Sequence, residues 1–317
     1  MSGSVPLVHV VRSGFVESVH LGSVAVVDGD GNLVASTGDP DRLTYARSAM
    51  KPLQAAVSLG FIEDPLRDQE AAVMCASHNG EEVHLEAVAS LLERAGLDFG
   101  ALRCPPAWPL DEESARRARE RRPELHNCSG KHAGMLLASV RAGFPLDSYP
   151  DPDHPLQQAV LGRVTEAAGE DPAAIGVDGC GVPVHALSLR AMALVYARLV
   201  TGRIPKADLA VSAMRRAPYM VGGRGRVCSA VMESAEVIVK VGAEGLVCAG
   251  VPGTGIGVAV KVDDGSARAL DPAVVHALRL TGALADDGSL EEFARPPVLG
   301  GGRPVGHVLP VFELERR

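Results

Sequence analysis

SVAVVDGDGNLVAS, residues 23–36, is the stretch on which the fold reading turns. Two runs of β-branched and small residues, Ser23–Val27 and Asn32–Ser36, flank Asp28-Gly29-Asp30-Gly31, the pattern of a β-hairpin. Asp28-x-Asp30-x-Asn32 also begins like a calcium loop, but Leu33 stands where that loop needs glycine, so the hairpin turn is retained. Toward the N-terminus, Leu7–Val11 reads as another strand. From about residue 48 to 216 the texture changes. Segments 82–95, 131–142, 154–168, 185–201 and 206–216 carry apolar residues at helical spacing, separated by Gly, Pro and Asp. Strands return at Val237–Val241, Gly245–Gly250 and Gly257–Val262, followed by a helix over 271–284 and a last strand near 306–314. This order predicts an α+β fold, an α/β sandwich. The terminal strands, within 1–47 and 220–317, pair in one antiparallel sheet with flanking helices, and 48–219 form a mainly helical lobe. A cleft between the lobes is the expected active site.

Composition narrows the function. The 317 residues are 46% hydrophobic and 22% charged, a globular balance that excludes wholesale disorder. A net charge of −8 argues against a nucleic-acid backbone binder, and 3% aromatic residues against a base-stacking surface. The opening MSGSVPLVHVVRSG has no signal-peptide pattern, and the longest uncharged stretch, 245–260, is too short and too broken for a membrane span. Six cysteines in a chain this long are not a disulfide framework. The expectation is a cytoplasmic protein with no membrane or nucleic-acid partner. Among 31 basic residues only five are lysines, at 51, 131, 206, 240 and 261.

Several polar motifs stand out. Ser48-x-x-Lys51 puts hydroxyl and amine on one face of a helix, and a lysine at a helix start can lose its proton and activate the serine. A capping serine beside a surface lysine is the plainer alternative. Ala76-Ser77-His78-Asn79-Gly80 follows an apolar segment, either as a polar site loop or as a turn capping a helix near Glu81. Cys128 and Cys180 lie in separate Gly-containing loops. They can hold a soft metal such as zinc, completed by Lys131 or His132, or be buried free thiols. Lys240 sits mid-strand before Gly242, as a second site amine or as an edge-strand lysine. Arg116–Arg122 is basic with Glu120 interleaved and reads as a solvated helix face.

Taken together, ARSAMKP (46–52), MCASHNG (74–80), HNCSGKHAGM (126–135), DGCGVP (178–183) and KVGAEG (240–245) occur in an order that resembles the L-asparaginase II family. These are the Rhizobium-type asparaginases, unrelated to the bacterial threonine-dependent enzymes. The resemblance spans almost the whole chain. It implies a fold similar to serine β-lactamases, transpeptidases and serine glutaminases, and L-asparagine amidohydrolase activity giving L-aspartate and ammonia. It implies two Ser–Lys pairs, Ser48 with Lys51 and Ser77 with Lys240, and zinc held by Cys128, Lys131 and Cys180, with no organic cofactor. Substrate-binding positions would be Arg47, His78, Asn79, His132 and Asp178, and the assembly a homodimer. A glutaminase, a penicillin-recognising serine hydrolase and a non-enzymatic metabolite or zinc sensor are the alternative readings.

Overall fold

The computed structural model describes residues 3–317, which divide into two compact units. One holds the chain up to Ala49 together with Leu187–Thr201 and Ser234–Arg317; the other holds Met50–Ala186 and Gly202–Glu233.

The first unit is built on a nine-stranded antiparallel sheet. Its main path runs Pro297–Gly300, Arg303–Pro310, Val5–Arg12, Phe15–Val27, Ile256–Val262, Leu246–Val251, Ile238–Val241. Leu33–Thr37 pairs with Phe15–Val27, and the short strand Glu315–Arg316 pairs in turn with Leu33–Thr37. The N- and C-terminal strands therefore share one sheet, as their sequence pattern requires. The hairpin turn is closed by Asp28, whose carboxylate accepts the backbone N–H groups of Asp30 at 2.9 Å and Asn32 at 3.0 Å. The helix Leu189–Val200 packs on the strands Ile256–Val262 and Leu246–Val251, and Ala267–Leu280 packs against Ile256–Val262, Arg303–Pro310 and Val5–Arg12. Valines alternate along these strands and fill the core between sheet and helix, with Val24, Val258 and Val260 at 0–1% exposure.

The second unit is helical, centred on Ser129–Ala142, whose residues through Ser139 are all buried. Lys51–Leu59, Asp68–Met74 and Glu82–Arg94 pack around it. Gly130 and Gly134 make the closest of these contacts possible. A Cβ on Gly130 would sit 2.2 Å from the Val73 carbonyl oxygen, and one on Gly134 would sit 2.6 Å from the Met74 Cε. Two small residues four apart on one face let the helix Asp68–Met74 lie against the central helix. The loop leaving Met74 is thereby delivered to the start of Ser129–Ala142.

A buried carboxylate locks this packing. Glu70 accepts hydrogen bonds from Ser90 Oγ at 2.7 Å, Arg94 Nε at 2.9 Å, the Arg67 backbone N–H at 2.7 Å and the Arg67 guanidinium at 3.2 Å. Burial alone would raise its pKa, but these donors outweigh burial and hold it at about 2. A depressed carboxylate stabilises the fold above its unfolded pKa, near 4.5, and that stability is lost as pH falls from there through 2. Glu70→Gln is expected to lower unfolding stability at pH 7 by about 3 kcal/mol. Urea titrations repeated down the pH range should show the gap to wild type narrowing below pH ~5. A gap that stays constant to pH ~2 would refute the assignment.

Three expectations shift in detail. Residues 185–188 belong to a strand, Pro183–Ser188, and the helix starts only at Leu189, capped by Ser188 Oγ on the Ala191 N–H at 3.1 Å. The helix expected over 271–284 runs from Ala267 to Leu280 and carries Pro272 inside it. Of the basic run only Arg116 and Arg117 are helical, at the end of Glu112–Arg117, and residues 118–122 lie beyond it; Arg116 and Arg117 pair with Glu112 and Glu113 one turn earlier, all in solvent.

Candidate active site

Lys51 is the first residue of the helix Lys51–Leu59 and is 0% exposed. Its amine donates to the Ala76 carbonyl oxygen and, at 3.0 Å, to Ser77 Oγ. The sequence reading paired Lys51 with Ser48 and Ser77 with Lys240; the contact seen here is a different one, between Lys51 and Ser77. A buried amine in contact with a nearly buried hydroxyl (Ser77 is 7% exposed) is a means of moving a proton.

Ser77 lies on an extended strap between the helices Asp68–Met74 and Glu82–Arg94. The strap's backbone donors point alternately to two neighbouring segments. Ser77 N–H and Asn79 N–H donate to Val221 O at 3.0 Å and Gly222 O at 2.8 Å, while His78 N–H donates to Asn127 O at 3.2 Å. The Asn79 amide donates to Arg224 O at 3.0 Å and Glu81 Oε1 at 3.2 Å, and the other Glu81 oxygen accepts Tyr219 OH. The capping alternative for Ser77 is not realised. Helix Glu82–Arg94 has Glu81 at its N-cap, without a side-chain cap bond.

A second cluster gathers at the start of the central helix. Lys131 Nζ lies 3.0 Å from Cys180 Sγ, both buried, and Cys128 Sγ lies 3.2 Å from Asn127 Oδ1. Cys180 comes from the tight loop between the strands Ala174–Val177 and Pro183–Ser188. Asp178 shapes that loop by accepting Gly179 N–H at 2.8 Å, with its other oxygen 3.7 Å from Cys180 Sγ. The hydrogen bond from Cys128, then the Lys131 charge, hold the Cys180 thiol far below its ordinary pKa against the effect of burial. The same bond, followed by burial, pushes Cys128 up. Burial works against a charged Lys131, but the two sulfurs outweigh it and raise its pKa. Among the described residues, no group of three or more His, Cys, Asp or Glu side chains is placed to hold a metal.

His132 stands beside Lys131, fully buried, with Nδ1 2.6 Å from Tyr149 OH. Its Nε2 has no hydrogen-bond partner. Tyr149 also accepts the Arg103 N–H at 2.9 Å, and nothing in its own sequence surroundings flagged it.

In the sheet unit, Ser48 sits on a 3₁₀ turn, Arg47–Met50, so Ser48-x-x-Lys51 straddles a 3₁₀-to-α junction instead of lying on one helix. Arg47 has φ +47°, a left-handed conformation that costs a non-glycine residue about 1 kcal/mol or more. The Tyr196 hydroxyl donates to Ala49 O at 2.6 Å and braces the turn. Lys240 lies within the strand Ile238–Val241 opposite Cys248, is 1% exposed, and donates to Val241 O at 2.7 Å. Just past this strand, Gly242 has its Cβ position 3.3 Å from Ala46 O, so a larger residue would press on the chain leading into the Ser48 turn.

An antiparallel sheet with flanking helices, a helical unit and a buried Lys–Ser contact fit the amidohydrolase class implied by the sequence motifs. Residues 8–310 match the family described as L-asparaginase II, and the chain belongs to that family. No curated protein sequence matches it. Among solved structures it is similar to Mglu in its glutamate form (15% identity, 84% of this chain and 62% of that one, TM-score 0.48). It is also similar to a Bacillus glutaminase (13% identity, 83% and 91%, TM-score 0.47) and a β-lactamase from Mycobacterium bovis (16% identity, 83% and 95%, TM-score 0.45). The chain spans less than two thirds of the Mglu chain in its glutamate form.

Proposed function

We propose that this amidohydrolase hydrolyses the side-chain amide of L-asparagine to L-aspartate and ammonia. The observation that carries the reading is the buried Lys51 amine 3.0 Å from Ser77 Oγ, on a helix that begins three residues after Ser48. In the proposed sequence, Ser48 Oγ attacks the amide carbon as its proton passes to the Lys51 amine. Backbone N–H groups stabilise the oxyanion. Ser77, with Lys51 and Lys240, relays a proton to the departing ammonia, and the acyl ester on Ser48 is then hydrolysed by water activated by the same groups. Asp178 would hold the substrate's α-ammonium and Arg47 its α-carboxylate. The test is a coupled ammonia assay on the purified protein, with asparagine turned over faster than glutamine and benzylpenicillin left intact. Glutamine preferred over asparagine would favour the glutaminase alternative, lactam hydrolysis the penicillin-recognising one, and no hydrolysis at all a sensor.

Zinc fits the donors present. Cys128, Lys131 and Cys180 supply two sulfurs and an amine, and the partnerless Nε2 of buried His132 is a further polar atom beside Lys131. Cys128, Lys131 and Cys180 would hold it, with both thiols and the Lys131 amine in their deprotonated forms. Bound there, zinc would supply a fixed charge that orders the surrounding loops. Metal analysis of the purified protein is expected to find about one zinc per chain, lost in Cys128→Ser and in Cys180→Ser. Protein that stays metal-free when supplied with zinc would discard the site.

A further inference from the structure

His78 follows Ser77, and its ring is 0% exposed. Its Nδ1 accepts the Gly80 backbone N–H at 3.1 Å, so the proton of the neutral ring resides on Nε2. That nitrogen lies 2.9 Å from Ser129 Oγ. Ser129 sends its own hydroxyl proton to Glu124 O at 2.9 Å, which leaves its oxygen free to accept from His78. Both ring nitrogens are thereby spent on protein groups. The His84 ring stacks on the imidazole with centroids 5.2 Å apart and planes 15° apart. Burial first, and then the charges of His84, Lys51 and His126, keep the His78 ring neutral.

The substrate-binding role expected for His78 from sequence would need a free ring nitrogen, and the structure leaves none. We infer that His78 is instead a positioning residue, whose Nε2–H bond to Ser129 pins the strap and sets Ser77 Oγ at hydrogen-bond distance from Lys51. The inference rests on the proposed function of Ser77. His78 is held at two points, by its ring to Ser129 and by its backbone N–H to Asn127, and Ser77 is the next residue. Loss of the ring bond leaves that side of the strap on the His78 N–H bond to Asn127 without its side-chain anchor, while the bonds to Val221 and Gly222 retain the other side. A shift of about 1 Å at a reacting group is enough to slow turnover well before it unfolds a protein.

The experiment compares His78→Phe, which keeps an aromatic face for His84 but no ring N–H, with Ser129→Ala, their double variant and His78→Gln. On L-asparagine, each of the first two is expected to lower kcat about tenfold with KM within about twofold of wild type. The double variant should be little slower than the worse single, because the bond the two changes share, His78 to Ser129, is already lost in either. His78→Gln, which restores a side-chain N–H donor, should recover most of the loss. A raised KM with unchanged kcat would return His78 to substrate binding and overturn the inference. So would additive losses, or a lowered melting temperature with unchanged kinetics. Histidine ¹⁵N spectra of the wild type at pH 7 give a readout independent of turnover. Expected is a neutral His78 ring protonated on Nε2, with a shift that moves in Ser129→Ala; a ring protonated on Nδ1 overturns the inference. If the wild type releases no ammonia while this tautomer holds, the proposed function falls and the pinning of Ser77 stands.

Discussion

Ser48→Ala is expected to cut ammonia release from L-asparagine by at least ~10³-fold, the scale on which loss of a nucleophile is felt. The fold should tolerate it. Ser48 is only partly buried, the turn is braced through the Ala49 carbonyl and not through the serine hydroxyl, and the change removes one atom. The melting temperature should therefore stay within a few degrees of wild type. Wild-type-like turnover in this variant would sink the nucleophile assignment. A second arm uses the intact enzyme. Rapid acid quench during turnover should leave a mass increment on the peptide containing Ser48, and an increment on Ser77 instead would exchange the two serines' roles.

Lys51→Met should be as damaging to turnover and more so to the fold. Lys51 is fully buried, and its amine satisfies both the Ala76 carbonyl and the Ser77 hydroxyl. Methionine fills most of the volume but leaves Ala76 O without that donor, a cost of about 1–3 kcal/mol. Turnover is expected to fall by at least ~10³-fold, because proton transfer to and from serine loses its carrier. Combining Lys51→Met with Ser48→Ala should slow the enzyme no further than the worse single change, since residues that act as a unit are not additive. A double variant far slower than either would separate Lys51 from Ser48. Chemical denaturation of Lys51→Met gives the stability loss on its own scale and keeps the two effects apart.

Much of the architecture was legible where local chemistry and tertiary packing agree. Asp28-Gly29-Asp30-Gly31 is a turn because Asp28 bonds its own chain two and four residues on, which needs no distant partner. The helix expected over 154–168 is found at Pro155–Ala168, since His154 and Pro155 mark its start and Gly169, in a left-handed conformation, ends it. Misreadings fall where packing overrules the pattern. Pro183–Ser188 is buried throughout and so lacks a strand's alternation, which let it pass as the start of the following helix. The helix expected over 271–284 begins earlier, at Ala267, and accommodates Pro272 inside it.

The site shows the same division. The candidate residue types were visible as motifs, a serine three before one of only five lysines, a serine in a polar loop and two cysteines in glycine-containing loops. Their connections were not. Lys51 and Ser77 are 26 residues apart, and no local motif encodes the contact that helix packing makes between them. His78 and Asn79 entered as substrate-binding positions through the family resemblance, and their contacts to Ser129, Glu81 and the Arg224 carbonyl have no local sequence signal. Arg47 had no mark of its left-handed backbone at all.

The strap at 77–79 also bears on how the enzyme is made. Its hydrogen-bond partners lie as far as 51 and 145 residues along the chain. Closing loops of that length carries an entropic penalty that short-range helices do not meet, and contacts of high sequence separation slow folding. The helices Lys51–Leu59 and Glu82–Arg94 can form early from local signals, while the strap between them has no fixed course until residues near 127 and 222 arrive. During synthesis from the N-terminus, most of the chain must emerge before Ser77 can be held beside Lys51. Under the proposed function, recovery of ammonia release on refolding should therefore lag the return of helical signal.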